Sequence, residues 1–560
     1  MERNAILATV MVILILVGYQ WYLSHEAPAP APEAPRAAKP SAEPAAKSSE
    51  PAISQSTPAA KSPTAKKTYT PTAETTAQAK DITVETPLMR IVFAAAGARV
   101  KTWELKRYRQ STGAPVELVA RSTNALGPLS AWADPEQITD TYEVDRDKLD
   151  LSQPGSVGTL TFRNISKAGV LLEKQITLKA DSYEVGVQMT AKNLEQNETQ
   201  LQPKLVWGPG LRTSGDKDHG TVQPPIYKLE DSKPVHEDFA KLSKEKTIEG
   251  NVSWVALQDT YFAAALLADQ NGLSAFLLKE PEGQAVIGLE AARKSVPSGG
   301  DLVLKANLYA GPRDLDTLKA AGHNLDQLID LGWFDFLARP ALWLLKTLYH
   351  FIGNYGLAII VITILQKIVF WPLTYKSIKS MQAMQSLQPK VQAIQERYKN
   401  NPQKKQEETM ALYKKQGVNP MGGCLPMLIQ IPIFVALYNA LSSSVEMWQA
   451  HFLWIHDLTQ PDSLFRLTLW GGQEYNVGNL LGILMGASMW LQQKMSPTGG
   501  DPRQAQMMLW MMPILFTFMF WSFPSGLVLY WFVNNLLQIG QQWLINRQNS
   551  KPAEPQALPA

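Results

Sequence analysis

Hydrophobic residues follow two regimes along this chain. Within residues 81–330 they alternate: Tyr183, Val185, Val187 and Met189 are interleaved with Glu184, Gly186, Gln188 and Thr190, and Leu302, Leu304, Ala306 and Leu308 with Val303, Lys305 and Asn307. A period of two, broken by Gly, Pro and Asn, predicts antiparallel strands with one solvated face. This stretch is long enough for an all-β sandwich with its own core. Beyond it the apolar residues gather into long runs. Residues 331–352 mix Trp333, Phe334, Phe336, Trp343, Tyr349 and Phe351 with Arg339, Lys346 and His350, as in a helix lying in the membrane interface, with Pro340 opening a helical segment. Five apolar segments follow, at 353–372, 422–441, 477–495, 508–523 and 527–545, the last two joined by the turn Phe523-Pro524-Ser525-Gly526. A further run, Ala5–Leu23, follows Arg3 and ends in Tyr19, Trp21 and Tyr22, which suits an uncleaved signal anchor over residues 1–23. Residues 24–80 are rich in Ala and Pro and predict an extended linker. The expected architecture is a membrane protein with six transmembrane α-helices and a large β domain between the first and the second.

The placement of charge orients these spans. Between Tyr375 and Pro420 lie nine Lys or Arg (Lys376, Lys379, Lys390, Arg397, Lys399, Lys404, Lys405, Lys414 and Lys415) against Glu396, Glu407 and Glu408, whereas residues 442–476 hold only Arg466 as a cation. The first segment belongs in the cytoplasm and the second outside. Six spans then put both termini in the cytoplasm and the β domain in the periplasm of a multi-pass inner-membrane protein. Ile378, Met381, Met384, Leu387, Val391, Ile394 and Tyr398 recur at helical spacing, Asn400-Asn401-Pro402 breaks the pattern, and a second helix stops at Gly417. Residues 374–418 therefore read as a basic helical hairpin within a core at 353–547, followed by a tail at 548–560. Such a hairpin suits anionic membrane lipids, or the ribosome, targeting factors and incoming chains. A net charge of +3 argues against nucleic acid as a partner, and the single cysteine, Cys424, excludes an internal disulfide.

Lys367 carries the chemical information. It lies among Ile364, Leu365, Ile368, Val369 and Phe370, where a lysine costs roughly 2.5–3.5 kcal/mol to insert. Thr363 is one turn away on the same face, and Gln366 adjoins it. No Asp or Glu lies in any of the six segments, so no ion-pair partner is on offer. Snorkelling to the cytoplasmic interface is one reading; the other is a hydrophilic groove open to the cytoplasm, lined by Gln430, Ser488, Gln492, Gln493, Asn534, Asn535 and Gln538. Each of these could equally serve helix packing. Met508–Phe523, only about 24 Å of helix against a hydrocarbon core of about 30 Å, predicts local thinning, and Pro426, Pro432 and Pro513 predict distorted helices. Thinned bilayer beside a wet, cationic groove lowers the cost of moving a polar flank across without a motor.

Covalent chemistry finds no support. There is no Gly-Lys dipeptide for a phosphate loop and no GxSxG or HExxH. His451 and His456 with Asp457 sit in a Trp-rich loop that reads as interfacial rather than metal-binding. No cofactor, metal or enzymatic activity is expected. A polytopic transporter with a periplasmic receptor domain is the alternative, but it calls for a coupling carboxylate within the spans. A membrane-anchored carbohydrate enzyme calls for a His and acid constellation, and only His219 and His236 lie deep in the β region.

Several motifs resemble the YidC insertases: Asn419-Pro420-Met421-Gly422-Gly423-Cys424-Leu425-Pro426 with Gln430-Ile431-Pro432-Ile433-Phe434; Trp454-Ile455-His456-Asp457-Leu458; Gln493-Lys494-Met495-Ser496-Pro497; Phe523-Pro524-Ser525-Gly526-Leu527 with Leu529-Tyr530-Trp531; Leu387-Gln388-Pro389-Lys390; Trp254-Val255-Ala256 with Tyr261-Phe262; and Tyr309-Ala310-Gly311-Pro312. The resemblance runs from the anchor to about Arg547. It implies a β-supersandwich domain and a five-helix insertase core. It implies nascent membrane proteins as substrates, sliding along the segments that contain Ile431 and Phe516, and insertion either independently of the Sec translocon or beside it. The family's groove carries an arginine where this chain has Lys367, which keeps the charge and loses the planar fork.

Overall fold

The computed structural model describes residues 81–549, apart from 111–112, 121–125, 212–222, 239–241, 243–244, 281–283, 420–424, 470–472 and 496–501. The expected anchor and linker, and the tail beyond residue 549, lie outside the described residues.

The β region is built as the alternation requires. Val170–Lys179 and Glu184–Asn193 bury every second residue and pair antiparallel, Val185 opposite Leu178 and Val187 opposite Ile176. They lie beside Asp301–Pro312 and Phe262–Ala268 in a nine-stranded sheet. One five-stranded sheet is centred on Ala285–Ala291, and another runs through Arg99–Arg109, Met89–Ala94 and Asp81–Glu85. Their inner faces meet in one core that contains Phe93, Trp103, Phe162 and Trp207, with Trp103 edge-on to Trp207 at 5.8 Å between ring centres. Gly288 is needed beside a second, smaller cluster that contains Val206, Phe276 and Val286, because a Cβ there would fall 2.2 Å from the Phe276 ring.

One core position breaks the pattern. Lys174 occupies an inward phase of its strand and is fully buried. Its ammonium donates to the carbonyls of Ala98 and Leu129, at 2.8 Å for the latter, and lies 5.4 Å from the centre of the Phe162 ring. Ala98 and Leu129 both have left-handed backbones, with φ of 44° and 61°, so one side chain ties down two strained corners. Burial drives the Lys174 pKa down to about 7.

Helix α1 (Leu315–Ala320) leads from the β region to α2 (Asp335–Ile352), which starts five residues before Pro340 and passes through it. One face of α2 is buried at Ala338, Leu342 and Leu345; the other exposes Phe336, Trp343 and Phe351. Helix α3 (Tyr355–Ser386) does not stop at Pro372, since a proline removes one backbone bond and the helix resumes around it. It absorbs the first turns assigned above to the hairpin. Residues 386–420 form a compact unit of their own, in which α4 (Gln388–Arg397) packs on α5 (Pro402–Lys415). Asn401 caps α5 by accepting from the Lys404 N–H at 3.0 Å, and Gly417 ends it with φ of 65°.

The remaining helices are α6 (Leu425–Ser442), α7 (Leu480–Met495), α8 (Pro502–Met519) and α9 (Ser525–Asn549), with a hairpin of Phe465–Leu469 and Gln473–Val477 before α7. Among the described residues α3 alone is both long and apolar enough to cross a bilayer. The others are shorter or, like α9 with Asn534, Asn535, Gln538, Gln541 and Gln542, more polar.

A clasp fastens the β region to the helices. The Lys346 ammonium on α2 lies 2.5 Å from Asp314, which caps α1, 2.9 Å from Asp316, and 2.5 Å from Glu446 in the turn after α6. Burial raises the Glu446 carboxyl, and its hydrogen bond with Asp314 raises it further. Burial also opposes ionisation of Asp314, but hydrogen bonds with Glu446, Lys346 and Thr317 hold its carboxyl well below the usual range. Nearby, Trp448 stands edge-on to Tyr261 at 4.6 Å and donates from Nε1 to the Arg109 carbonyl at 2.9 Å.

Two expectations follow. Lys346→Met should cost about 3 kcal/mol, the low end for breaking a buried pair, and Lys346→Arg much less; urea unfolding of the full chain checks this. Between pH 7 and pH 10 an unfolded Lys174 is protonated while the folded one is largely neutral, so the unfolded state binds more protons and stability rises with pH. Lys174→Met should flatten that rise, read as the urea midpoint at several pH values.

Candidate functional site

Helix α3 presents most of its apolar residues outward near its middle: Ile364, Leu365, Ile368 and Val369 are 38%, 40%, 61% and 68% exposed. Gln366 and Lys367 are half-buried. Their polar ends turn toward α6 and α9, where side chains from three helices meet.

Lys367 Nζ donates to Gln538 Oε1 on α9 at 2.8 Å. Beside it, Gln366 Nε2 donates to Gln430 Oε1 on α6 at 3.2 Å, Gln430 Nε2 donates to the Tyr530 hydroxyl, and that hydroxyl donates to Gln366 Oε1 at 3.0 Å. Each member gives one hydrogen bond and accepts one, so the three close a cycle across α3, α6 and α9. Tyr530 is fully buried. In an apolar surround an unmade hydrogen bond is costly, so a closed cycle specifies how these helices face one another.

Not every residue singled out in the sequence joins this cluster. Thr363 is buried, but its hydroxyl donates to the Ile359 carbonyl of its own helix at 2.6 Å. Gln492 on α7 is half-buried and makes no hydrogen bond among the described residues. Asn535 donates to Ser488 at 3.1 Å and Gln542 to the Met495 carbonyl at 2.6 Å, which fastens α9 to α7 as ordinary helix packing. Asn534 lies on the face of α9 that carries Tyr530 and Gln538, and its buried Oδ1 has no partner among the described residues.

Two residues escaped sequence reasoning. Tyr530 drew notice only as part of a motif, because its role depends on glutamines 100 and 164 residues away in sequence. Gln541 was passed over, although its spacing of three from Gln538 puts it on the same helical face. It is 3% exposed, and neither atom of its amide has a partner among the described residues.

The apolar side of the site is aromatic. Phe516 stacks on Phe520 at 6.0 Å and lies 6.2 Å from Trp531, which meets Phe434 of α6 edge-on at 5.0 Å. Ile431 follows Gln430 on α6 and is half-buried. The sequences of α3 and α6–α9 contain no carboxylate, so no acid within them cancels the Lys367 charge. The site offers an ammonium, amides, a hydroxyl and aromatic faces, a set suited to binding rather than to bond-making.

The family profile for the YidC periplasmic domain matches residues 81–344, and that for the 60Kd inner membrane protein matches residues 347–552. Membrane protein insertase YidC of Syntrophus aciditrophicus is 37% identical over 561 residues, which cover 98% of this chain and 100% of the relative. Membrane protein insertase YidC of Pelobacter propionicus is 38% identical over 495 residues, or 85% of this chain and 88% of the relative. The crystal structure of YidC from Thermotoga maritima aligns with 82% of this chain and 99% of its own at 15% identity and a TM-score of 0.30. With relatives matched over nearly their whole length, this chain belongs to the YidC family of inner-membrane proteins with a periplasmic β domain.

Proposed function

We propose that this protein inserts integral membrane proteins into the inner membrane and helps them fold, by binding them rather than by covalent chemistry. Membership of a family whose members are called membrane protein insertases supports the reading. The observation that carries it is the half-buried Lys367 ammonium, hydrogen-bonded to a neutral amide in a seam of polar side chains among apolar helices. An incoming segment with an acidic flank gains from that charge, while its apolar stretch finds the aromatic side chains of α6, α8 and α9. In this reading Lys367, Thr363, Gln366, Gln430, Gln492, Asn534 and Gln538 line a cytoplasm-open groove, and Ile431 and Phe516 form the apolar slide.

Six spans, comprising residues 1–23 and the five apolar segments of the core, put both termini in the cytoplasm. The β domain covers residues 81–330 and the interfacial helix 331–352. The cationic excess of residues 374–418 suits a cytoplasmic contact with the ribosome, targeting factors and anionic lipid. Insertion proceeds alone or beside the Sec translocon.

Depletion should leave small membrane proteins uninserted, read as loss of protease protection of a newly made single-span protein; normal protection would refute the proposal. Lys367→Arg should retain activity, whereas Lys367→Leu should lower insertion of acid-flanked substrates several-fold. Tyr530→Phe removes one donor and one acceptor from the cycle and should loosen the helices by about 1–2 kcal/mol, within the range for hydrogen bonds between membrane helices. Thermal unfolding in detergent checks that figure.

A further inference from the structure

We infer that Gln538 is a positioning residue for the Lys367 cation: its side-chain carbonyl holds the ammonium across the groove toward α9 while leaving its charge uncancelled. The inference rests on the groove reading above and deepens it by naming what sets the groove's preference for acidic flanks.

The argument starts from the freedom a lysine ordinarily has. Its four-carbon stem lets the ammonium swing toward the nearest water, and Lys367 lies about two and a half turns from the cationic stretch that begins at Lys376. Here the ammonium instead reaches α9, with Nζ at 2.8 Å from Gln538 Oε1. That is its one hydrogen bond among the described residues. A lysine can only donate, so the carbonyl end of the Gln538 amide is the end that faces it. A carboxylate at position 538 would hold the ammonium equally well and would also neutralise it. The amide separates these effects and fixes the charge without consuming it.

The amide brings a second consequence. With its oxygen committed to Lys367, the Gln538 nitrogen keeps its two N–H donors, and these bond to nothing among the described residues. Three positions further along the same face lies Gln541, buried with an unpartnered amide. An acidic side chain entering here would meet an ammonium beside amide donors, the charge-assisted combination that binds carboxylates most firmly. The chemistry recognised is therefore a carboxylate in a polar flank next to an apolar segment.

The test uses the full chain reconstituted in vesicles of neutral and anionic phospholipid, with two single-span model substrates that differ only in carrying two Asp or two Asn in the translocated flank. The readout is the ratio of acidic to neutral insertion. Gln538→Glu should lower that ratio at least fivefold, and Gln538→Leu, which adds no charge but removes the carbonyl that holds the ammonium, should lower it at least twofold; a parental ratio in Gln538→Leu would overturn the inference. The exchanged pair Lys367→Gln with Gln538→Lys moves the cation to α9 and should recover most of the ratio; it decides the matter if Gln538→Glu does not accumulate. A parental ratio in Gln538→Glu, or an exchanged pair no better than the Lys367→Leu variant, would overturn the inference. Lys367→Leu separates the two levels. If it lowers the ratio while Gln538→Glu does not, the groove reading stands and the role of Gln538 falls; if Lys367→Leu leaves the ratio unchanged, the groove reading itself falls.

Discussion

An ammonium within an apolar helix must find hydrogen-bond acceptors, and the helices of this protein supply one without supplying a counter-charge. Lys367 bonds to Gln538, and the sequences of α3 and α6–α9 hold no carboxylate. A lysine–carboxylate pair would be stable and electrically silent. The arrangement found here gives up that stability and leaves the ammonium without a counter-charge in those helices. The neighbouring polar residues fit the same constraint: Gln366, Gln430 and Tyr530 satisfy one another in a closed cycle, while the oxygen of Asn534 and the amide of Gln541 stay unpartnered among the described residues.

Around this seam the helices divide their work. Asn535 with Ser488, and Gln542 with the Met495 carbonyl, fix α9 to α7. The rings of Phe434, Phe516, Phe520 and Trp531 bring together α6, the end of α8 and α9. Apolar contact and polar contact thus meet along one face of α9.

Much of this was legible in the sequence, and the failures have physical reasons. Period-two alternation located the strands because burial on one sheet face imposes that pattern, as Val185 and Val187 show. Lys174 went unmarked, since its partners, the Ala98 and Leu129 carbonyls, come from distant corners that a local pattern does not reach. Lys367 was identifiable from local hydropathy alone. Its partner was legible only as one of several polar residues in the last span, since a bond across 171 residues leaves no periodic trace. Thr363 was placed correctly on the face of Lys367, yet its hydroxyl turned to its own backbone, an option that spacing cannot weigh. Pro340 and Pro372 mark boundaries in the sequence because proline disfavours helix interiors, but each removes a single backbone bond and α2 and α3 run on through them. The number of spans rests on apolar run lengths, of which the structure gives one helix of clear spanning length among the described residues.

The Lys346 clasp has a mechanical consequence. One ammonium on α2 is gripped from one side by the residues that close the β domain and from the other by the turn after α6. Neither can be displaced without straining the other, and α6 is a continuous helix whose side chains reach the Gln366–Gln430–Tyr530 cycle. The β domain and α6 are therefore tied through a single ammonium, and the helix so tied carries Gln430 of the cycle toward its other end.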